Sequence, residues 1–382
     1  MGRYPTCGVS SAASTSSRFQ MPDEEATPGD GQRLLTDLLK GVSRSFYLTL
    51  RVLPGGIREP VGLAYLLARA ADTIADTTLI PHEERLKHLL DFRSQVAGPT
   101  DSNALRNIGA SVNKLQANSR HTDGHRQESR DVELLMSLPS VFALLDRLPA
   151  ADRDAVRSVV VALTRGMEID IRTFPAEDSG DVVAFSSAQD LDEYVYHVAG
   201  CVGEFWTAVT TSHTPSLRHW DSDNMSGLGV RFGKALQMTN ILRDIPRDLR
   251  IGRCYLTSDA LAGLGLAPKD LLDPSNGLPA RPALSDGIKL ALEHYAAAEQ
   301  YVLAIPRRNV RLRLAALWPL VIGLGTLAEL TTNQAWLNPD SPFKVSRGWV
   351  YRALAYSLLV CRSNGALRWW IGRLRRRVES EL

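Results

Sequence analysis

Cysteine is scarce in this chain. Cys7, Cys201, Cys254 and Cys361 are the four cysteines among 382 residues, far apart and with no CxxC pair. That spacing excludes a disulfide framework and a thiolate metal site, and it points to free thiols in the reducing cytoplasm. Cys201 and Cys254 read as small buried side chains. A surplus of one charge is also missing: the formal net charge is +2, which argues against nucleic acid as a partner. No stretch of useful length alternates apolar and polar residues, so strands are not expected. There is no internal repeat and no glycine-rich nucleotide loop. Residues 1–31 hold no continuous apolar run, which excludes a secretory signal peptide. The most apolar stretch, Leu314–Leu330, falls short of the roughly 20 residues of a membrane span. It also contains Pro319, Gly323 and Gly325 and ends near Glu329, so it reads as a buried core helix.

What is present is helical rhythm in an ordinary soluble composition, 44% hydrophobic and 23% charged. Three regions are expected. Residues 1–31, rich in Ser, Ala, Thr, Gly and Pro, form a disordered tail, and either Met1 or Met21 is the start. Residues 32–350 form the main domain, in which apolar residues recur every three or four positions. Helices are expected at 58–76, 81–96, 132–148, 152–174, 191–211, 284–304 and 311–330, while the polar stretch 97–130 reads as a mobile insertion. Residues 351–382 form a last helix ending in WWIGRLRRRVESEL. Its Trp369, Trp370, Ile371 and Leu374 beside Arg368, Arg373, Arg375, Arg376 and Arg377 suit either a solvated terminal helix or an interfacial amphipathic one. The fold class is all-α.

Chemistry concentrates in two helical stretches. In QMTNILRDIPRDLRIGRCY (237–255), Gln237, Asn240, Asp244 and Asp248 recur at helical spacing, so they are neighbours on one surface. Two carboxylates at i and i+4 lie about 6 Å apart along the axis and repel each other unless a hard divalent cation such as Mg²⁺ joins them. Pro246 is expected to kink or end that helix. In LAYLLARAADTIADT (63–77), Asp72 and Asp76 repeat the spacing, with Arg69 one turn earlier, as Arg243 precedes Asp244. One such pair is an ordinary solvated helix face. Two, each in an apolar helix and each beside an arginine, suit metal ions held between carboxylates and an anionic substrate. In 152–174, Arg165, Met167, Glu168 and Asp170 crowd together, as a surface salt-bridge set or an active-site wall. Ala199, Gly200 and Gly203 are small enough for another helix, or a flat chain, to approach the backbone.

The strings SRSF (43–46), ARAADTIAD (68–76), YVYHVAGCVG (194–203) and QMTNILRDIPRDLRIGRCYL (237–256), in that order, resemble the squalene/phytoene synthase family. The resemblance runs from about residue 33 to about 350. It implies a single helical domain of the isoprenoid synthase type around a central cavity. It implies head-to-head joining of two farnesyl diphosphates through presqualene diphosphate, then NADPH-dependent reduction to squalene. The alternative is a phytoene-, dehydrosqualene- or presqualene-type enzyme without the reductive step. Asp72, Asp76, Asn240, Asp244 and Asp248 would hold Mg²⁺. Ser43, Arg44, Ser45, Arg69, Gln237, Asn240, Arg243 and Arg253 would hold diphosphate, with Tyr65 at the same mouth. A tyrosine beside the VAG string would steer the cation, and Tyr196 is preferred to Tyr194 for it; His197 stands where some members carry another tyrosine. The later FKVSRG (343–348) resembles a basic string that holds NADPH in part of the family, which assigns Lys344 and Arg347 to the cofactor. A monomer, in the cytoplasm or peripheral at a membrane through the C-terminal tail, completes the expectation.

Overall fold

The computed structural model describes residues 37–40, 50, 52–76, 82–118, 125–177, 179–340 and 345–382, without the side chains of 82–83 and 112–129. The tail 1–31, Ser43, Arg44, Ser45 and Lys344 lie outside the described residues. Among the rest, helices dominate. They are α1 (Gly55–Asp76), α2 (His82–Ala97), α3 (Ser102–Asn118), α4 (His125–Met136), α5 (Leu138–Arg147), α6 (Ala150–Thr173), α7 (Ala188–Val195), α8 (Cys201–His213), α9 (Ser222–Asp248), α10 (Ser258–Ala262), α11 (Arg281–Ala304), α12 (Val310–Thr332), α13 (Arg347–Val360) and α14 (Asn364–Glu379). A π-helical turn, Tyr196–Gly200, joins α7 to α8. Two-residue strands β1 (Val183–Ala184) and β2 (Arg253–Cys254) pair in parallel.

Two apolar clusters organise these helices. The first gathers the inner faces of α1 to α6 around residues such as Leu66, Phe92, Phe142 and Val160. The second gathers α9, α11, α12 and α14 around Ile241, Tyr295, Leu320 and Ile371. Helices α6 and α8 sit on the seam: Ile171 joins the first cluster and Phe174 the second. Helix α12 is long and apolar enough to cross a membrane, but most of it is buried within this fold. It is a core helix, as Pro319, Gly323 and Gly325 suggested.

The seam is tight because its residues are small. A Cβ on Gly203 of α8 would lie 1.9 Å from the carbonyl oxygen of Gly229 in α9, and one on Gly233 would lie 2.2 Å from that of Ala199. The VAG string therefore admits a neighbouring backbone, one of the two occupants expected for it. Cys201, Cys254 and Cys361 are free buried thiols.

Three sequence expectations need correction. The polar stretch 97–130, expected as a mobile insertion, contains α3 and the start of α4, and Leu105 and Ile108 are buried in the first cluster. The helix expected at 132–148 breaks at Ser137, where Pro139 favours a fresh start. The terminal helix expected from Tyr351 is two, α13 and α14, and residue 350 falls inside α13. In addition, α9 continues through Pro246 to Asp248, where a single 3₁₀ turn, Leu249–Ile251, ends it.

Candidate active site

Helix α1 carries Arg69, Asp72 and Asp76 on its polar side, while Leu66, Leu67, Ala70, Ala71, Ile74 and Ala75 are buried. Arg69 reaches two carboxylates. It donates to Asp72 at 2.5 Å, and through two nitrogens to Asp131 of α4 at 2.8 and 3.3 Å. Helix α9 carries Gln237, Asn240, Asp244 and Asp248 at successive turns, and Arg243 clasps Asp244 through two nitrogens. Each aspartate pair thus has its own arginine.

Asp170 of α6 stands between the two pairs. Its Oδ2 lies 2.9 Å from Arg253 Nη1, while its Oδ1 accepts from the phenols of Tyr194 at 3.1 Å and Tyr255 at 3.2 Å. The Tyr194 and Tyr255 rings stack at 5.7 Å and lean on Phe185. Arg253 arrives there because Gly252 closes the preceding turn with φ of 83°. A side chain at that position would be strained, and its Cβ would meet the Asp181 carbonyl at 2.7 Å.

The acids of the two pairs are linked electrostatically through Asp170. Burial raises the Asp170 carboxyl above its ordinary range; Arg253 opposes the rise, and Asp76 adds to it. Burial, then Asp244, pushes Asp248 up to about 7, with Asp170 contributing. Burial, then Asp76, pushes Asp72 up to about 6. Fields pass from Asp72 to Asp76, to Asp170, to Asp248 and to Asp244, so helices α1, α6 and α9 present their acids to a common space. Arg253 remains charged: burial is the largest influence and opposes its charge, but Asp170, Tyr255, Asp76 and Tyr194 together outweigh it.

This is a surplus of negative charge without enough cation, and it fits hard divalent ions. Among the described residues no three His, Cys, Asp or Glu side chains converge on one point. The donors are divided between helices, which suits ions whose remaining ligands are substrate oxygens. Arg253 also keeps its buried Nε without a partner, a donor still available to an anion.

Next to the acids lies an apolar cavity of about 730 Å³. Helix α9 lines it with Phe232, Gly233, Leu236, Gln237 and Asn240, and the same face continues one turn on to Asp244. Val198, Ala199, Val202 and Gly203 form a second wall, α12 supplies Trp318, Pro319 and Ile322, and Arg347 and Tyr351 of α13 stand at its edge. The site therefore joins an acidic, arginine-flanked end to a greasy one.

A match to the family model described as squalene/phytoene synthase spans residues 39–349. The chain belongs to the squalene/phytoene synthase family. It is 29% identical over 311 residues to a presqualene diphosphate synthase of Rhodopseudomonas palustris, covering 79% of this chain and 88% of that protein. With a squalene synthase of Saccharomyces cerevisiae it shares 24% over 312 residues, 82% of this chain and 64% of the relative. A bifunctional lycopene cyclase/phytoene synthase of Arthroderma gypseum is 26% identical over 311 residues, 81% of this chain and 48% of the relative. The chain thus spans just under two thirds of the first of these last two relatives and just under half of the second. A solved structure of TcSQS with the ligand BPH1237 superposes with a TM-score of 0.68 at 22% identity, covering 92% of this chain and 99% of that one. The all-α isoprenoid synthase fold is thereby shared.

Of the sequence candidates, Asp72, Asp76, Asp244, Asp248, Arg69, Arg243 and Arg253 gather around the acidic end, and Gln237, Asn240 and Arg347 line the cavity. The Tyr196 phenol donates to Glu204 at 2.9 Å, and Lys234 lies 6.0 Å from its ring. It makes no hydrogen bond to the acid cluster; Tyr194 does. Burial and then Glu204 push the Tyr196 phenol up to about 12. Sequence reasoning missed Asp131 and Tyr255, and it left Asp170 undecided. Glu168 proved to be the surface salt-bridge residue, paired with Arg93 and Arg172, while Asp170, half a turn away, faces inward. An inward acid among Val, Ile and Met was the available signal.

Proposed function

We propose that this chain condenses two farnesyl diphosphates head to head through presqualene diphosphate and reduces the product to squalene with NADPH. The observation that carries the reading is the two aspartate pairs, brought together across Asp170 at one end of an apolar cavity. Mg²⁺ held by Asp72, Asp76, Asp244 and Asp248, with Asn240 beside them, would neutralise a departing diphosphate. Arg69, Arg243 and Arg253 are placed to exchange their carboxylate partners for phosphate oxygens, a charge-assisted and bidentate contact. The apolar walls exclude water from the allylic cation that remains. For the phenol that steers this cation, the geometry favours Tyr194, held by Asp170, over Tyr196, held by Glu204.

NADPH would supply the hydride of the second half-reaction, and Arg347, at the cavity edge near Gln237 and Asn240, is a cation suited to its phosphate. The likeness to a presqualene diphosphate synthase over 88% of that protein's length supports the second reading, in which catalysis stops at the cyclopropyl diphosphate. One assay separates them. The purified chain is incubated with farnesyl diphosphate and Mg²⁺, with and without NADPH, and the lipid extract is identified by mass. Squalene formed only with NADPH supports the full reaction. Presqualene diphosphate under both conditions selects the second reading. Phytoene-type or dehydrosqualene products without NADPH refute the first.

A further inference from the structure

Helix α13 has a different neighbour on each side. Going round it at about 100° per residue, Val350, Leu354, Arg347 and Tyr351 come first and line the apolar cavity. Leu358, Ala355 and Leu359 follow. Arg352 and Tyr356 come next and line a second groove, of about 910 Å³, against α14. Ala353, Ser357 and Val360 are the buried stripe. The ridge between cavity and groove is bare: Tyr351 is 69% exposed, Leu358 60% and Leu359 81%. Such a cluster on one helix marks an interaction surface rather than chance exposure.

The groove supplies a second, independent observation. Trp369 of α14 is 54% exposed, with Arg373 over its ring at 5.7 Å. Tyr356 meets Trp370 edge-on at 4.9 Å. Arg375 and Arg377 are paired with glutamates, but Arg352, Arg373 and Arg376 form no ion pair among the described residues. Unpaired guanidinium groups attract anionic headgroups, indole and phenol rings settle at headgroup depth, and bare leucines enter the acyl region. We propose that the α13–α14 face docks on an anionic lipid bilayer. An acidic protein partner would satisfy the arginines but leave the leucine ridge wet. Tyr351 belongs to both ridge and cavity edge, so docking brings the cavity to the bilayer. A prenyl chain then passes between the two without crossing water. That consequence rests on the proposed reaction; the docking does not.

The test uses the full chain and needs no turnover. Flotation is measured with vesicles of phosphatidylcholine alone and with about one third phosphatidylglycerol. Binding is expected only to the anionic vesicles and should weaken as salt rises. Each arginine at such a surface raises partitioning about fivefold, so Arg373→Gln with Arg376→Gln should lower it about 25-fold. Leu359→Ser should lower it about tenfold or more. Both variants alter exposed positions, and unchanged far-UV dichroism confirms their folds. Equal binding to neutral vesicles, or unaltered binding by both variants, overturns the proposal. So does a wild-type chain that ignores vesicles but self-associates through this ridge, seen as a dimer that Leu359→Ser dissolves.

Discussion

Asp248→Asn should make the metal-free protein more stable while removing its activity. In the folded chain the Asp248 carboxyl is pushed from 3.8 to about 7, by burial first and by Asp244 second. A raised acid binds its proton more tightly when folded than when unfolded, so the folded state loses stability as pH rises from about 4 to about 7. Above pH 7 the whole penalty is present. At about 1.4 kcal/mol per tenfold in proton affinity, the upper limit is roughly 4 kcal/mol. Asp248 is only half-buried, so solvent screening reduces this to about 1–2 kcal/mol. For a domain of this size that is about 1–3 °C in Tm. Asparagine keeps the shape and carries no charge. Thermal melts in EDTA should therefore show the variant about 1–3 °C above wild type at pH 8, with a smaller gap at pH 4.5. Mg²⁺ with a diphosphate analogue should raise the wild-type Tm and do less for the variant, whose turnover should fall about a hundredfold or more. A variant less stable than wild type at pH 8, or a gain independent of pH, would refute the account of Asp248 as an uncompensated acid.

Tyr194→Phe should slow the first half-reaction more than Tyr196→Phe, because of these two phenols it is Tyr194 that donates to Asp170; product formation from farnesyl diphosphate measures it, and the reverse order restores Tyr196. Gly203→Ala should cost about 3 kcal/mol or more by forcing α8 from α9, whereas Gly227→Ala, which meets nothing within 4 Å, should gain up to about 1 kcal/mol in helix propensity; urea midpoints compare the two. Arg347→Ala should raise the NADPH concentration needed for half-maximal squalene formation about tenfold while sparing presqualene diphosphate synthesis, and an equal loss in both half-reactions counts against its cofactor role.

Much of the site was legible in the chain because its signal is local. Asp72 with Asp76, and Asp244 with Asp248, are i,i+4 pairs on helices whose apolar stripes bury the opposite face, so their clustering within each helix needs no tertiary information. The all-α class follows from the same periodicity, and the glycines of the VAG stretch announced a close approach. The stretch 97–130 concealed a helix because the apolar residues described on its buried face, Leu105 and Ile108, are widely spaced among polar neighbours.

Sequence alone determined which residues are paired along a helix, since 3.6 residues per turn places i and i+4 together in any context. It also determined that both aspartate helices would be buried on one side. Tertiary structure alone decided that Asp170 joins the two pairs, that Arg69 reaches Asp131 across 62 residues, and that Tyr194 rather than Tyr196 meets the acids. Tyr194 and Tyr196 lie two apart, about 200° round a helix, and a π-helical turn begins at the second. Which phenol faces the carboxylates is therefore set by how α7 and the turn after it pack between α6 and α9. No spacing rule contains that angle.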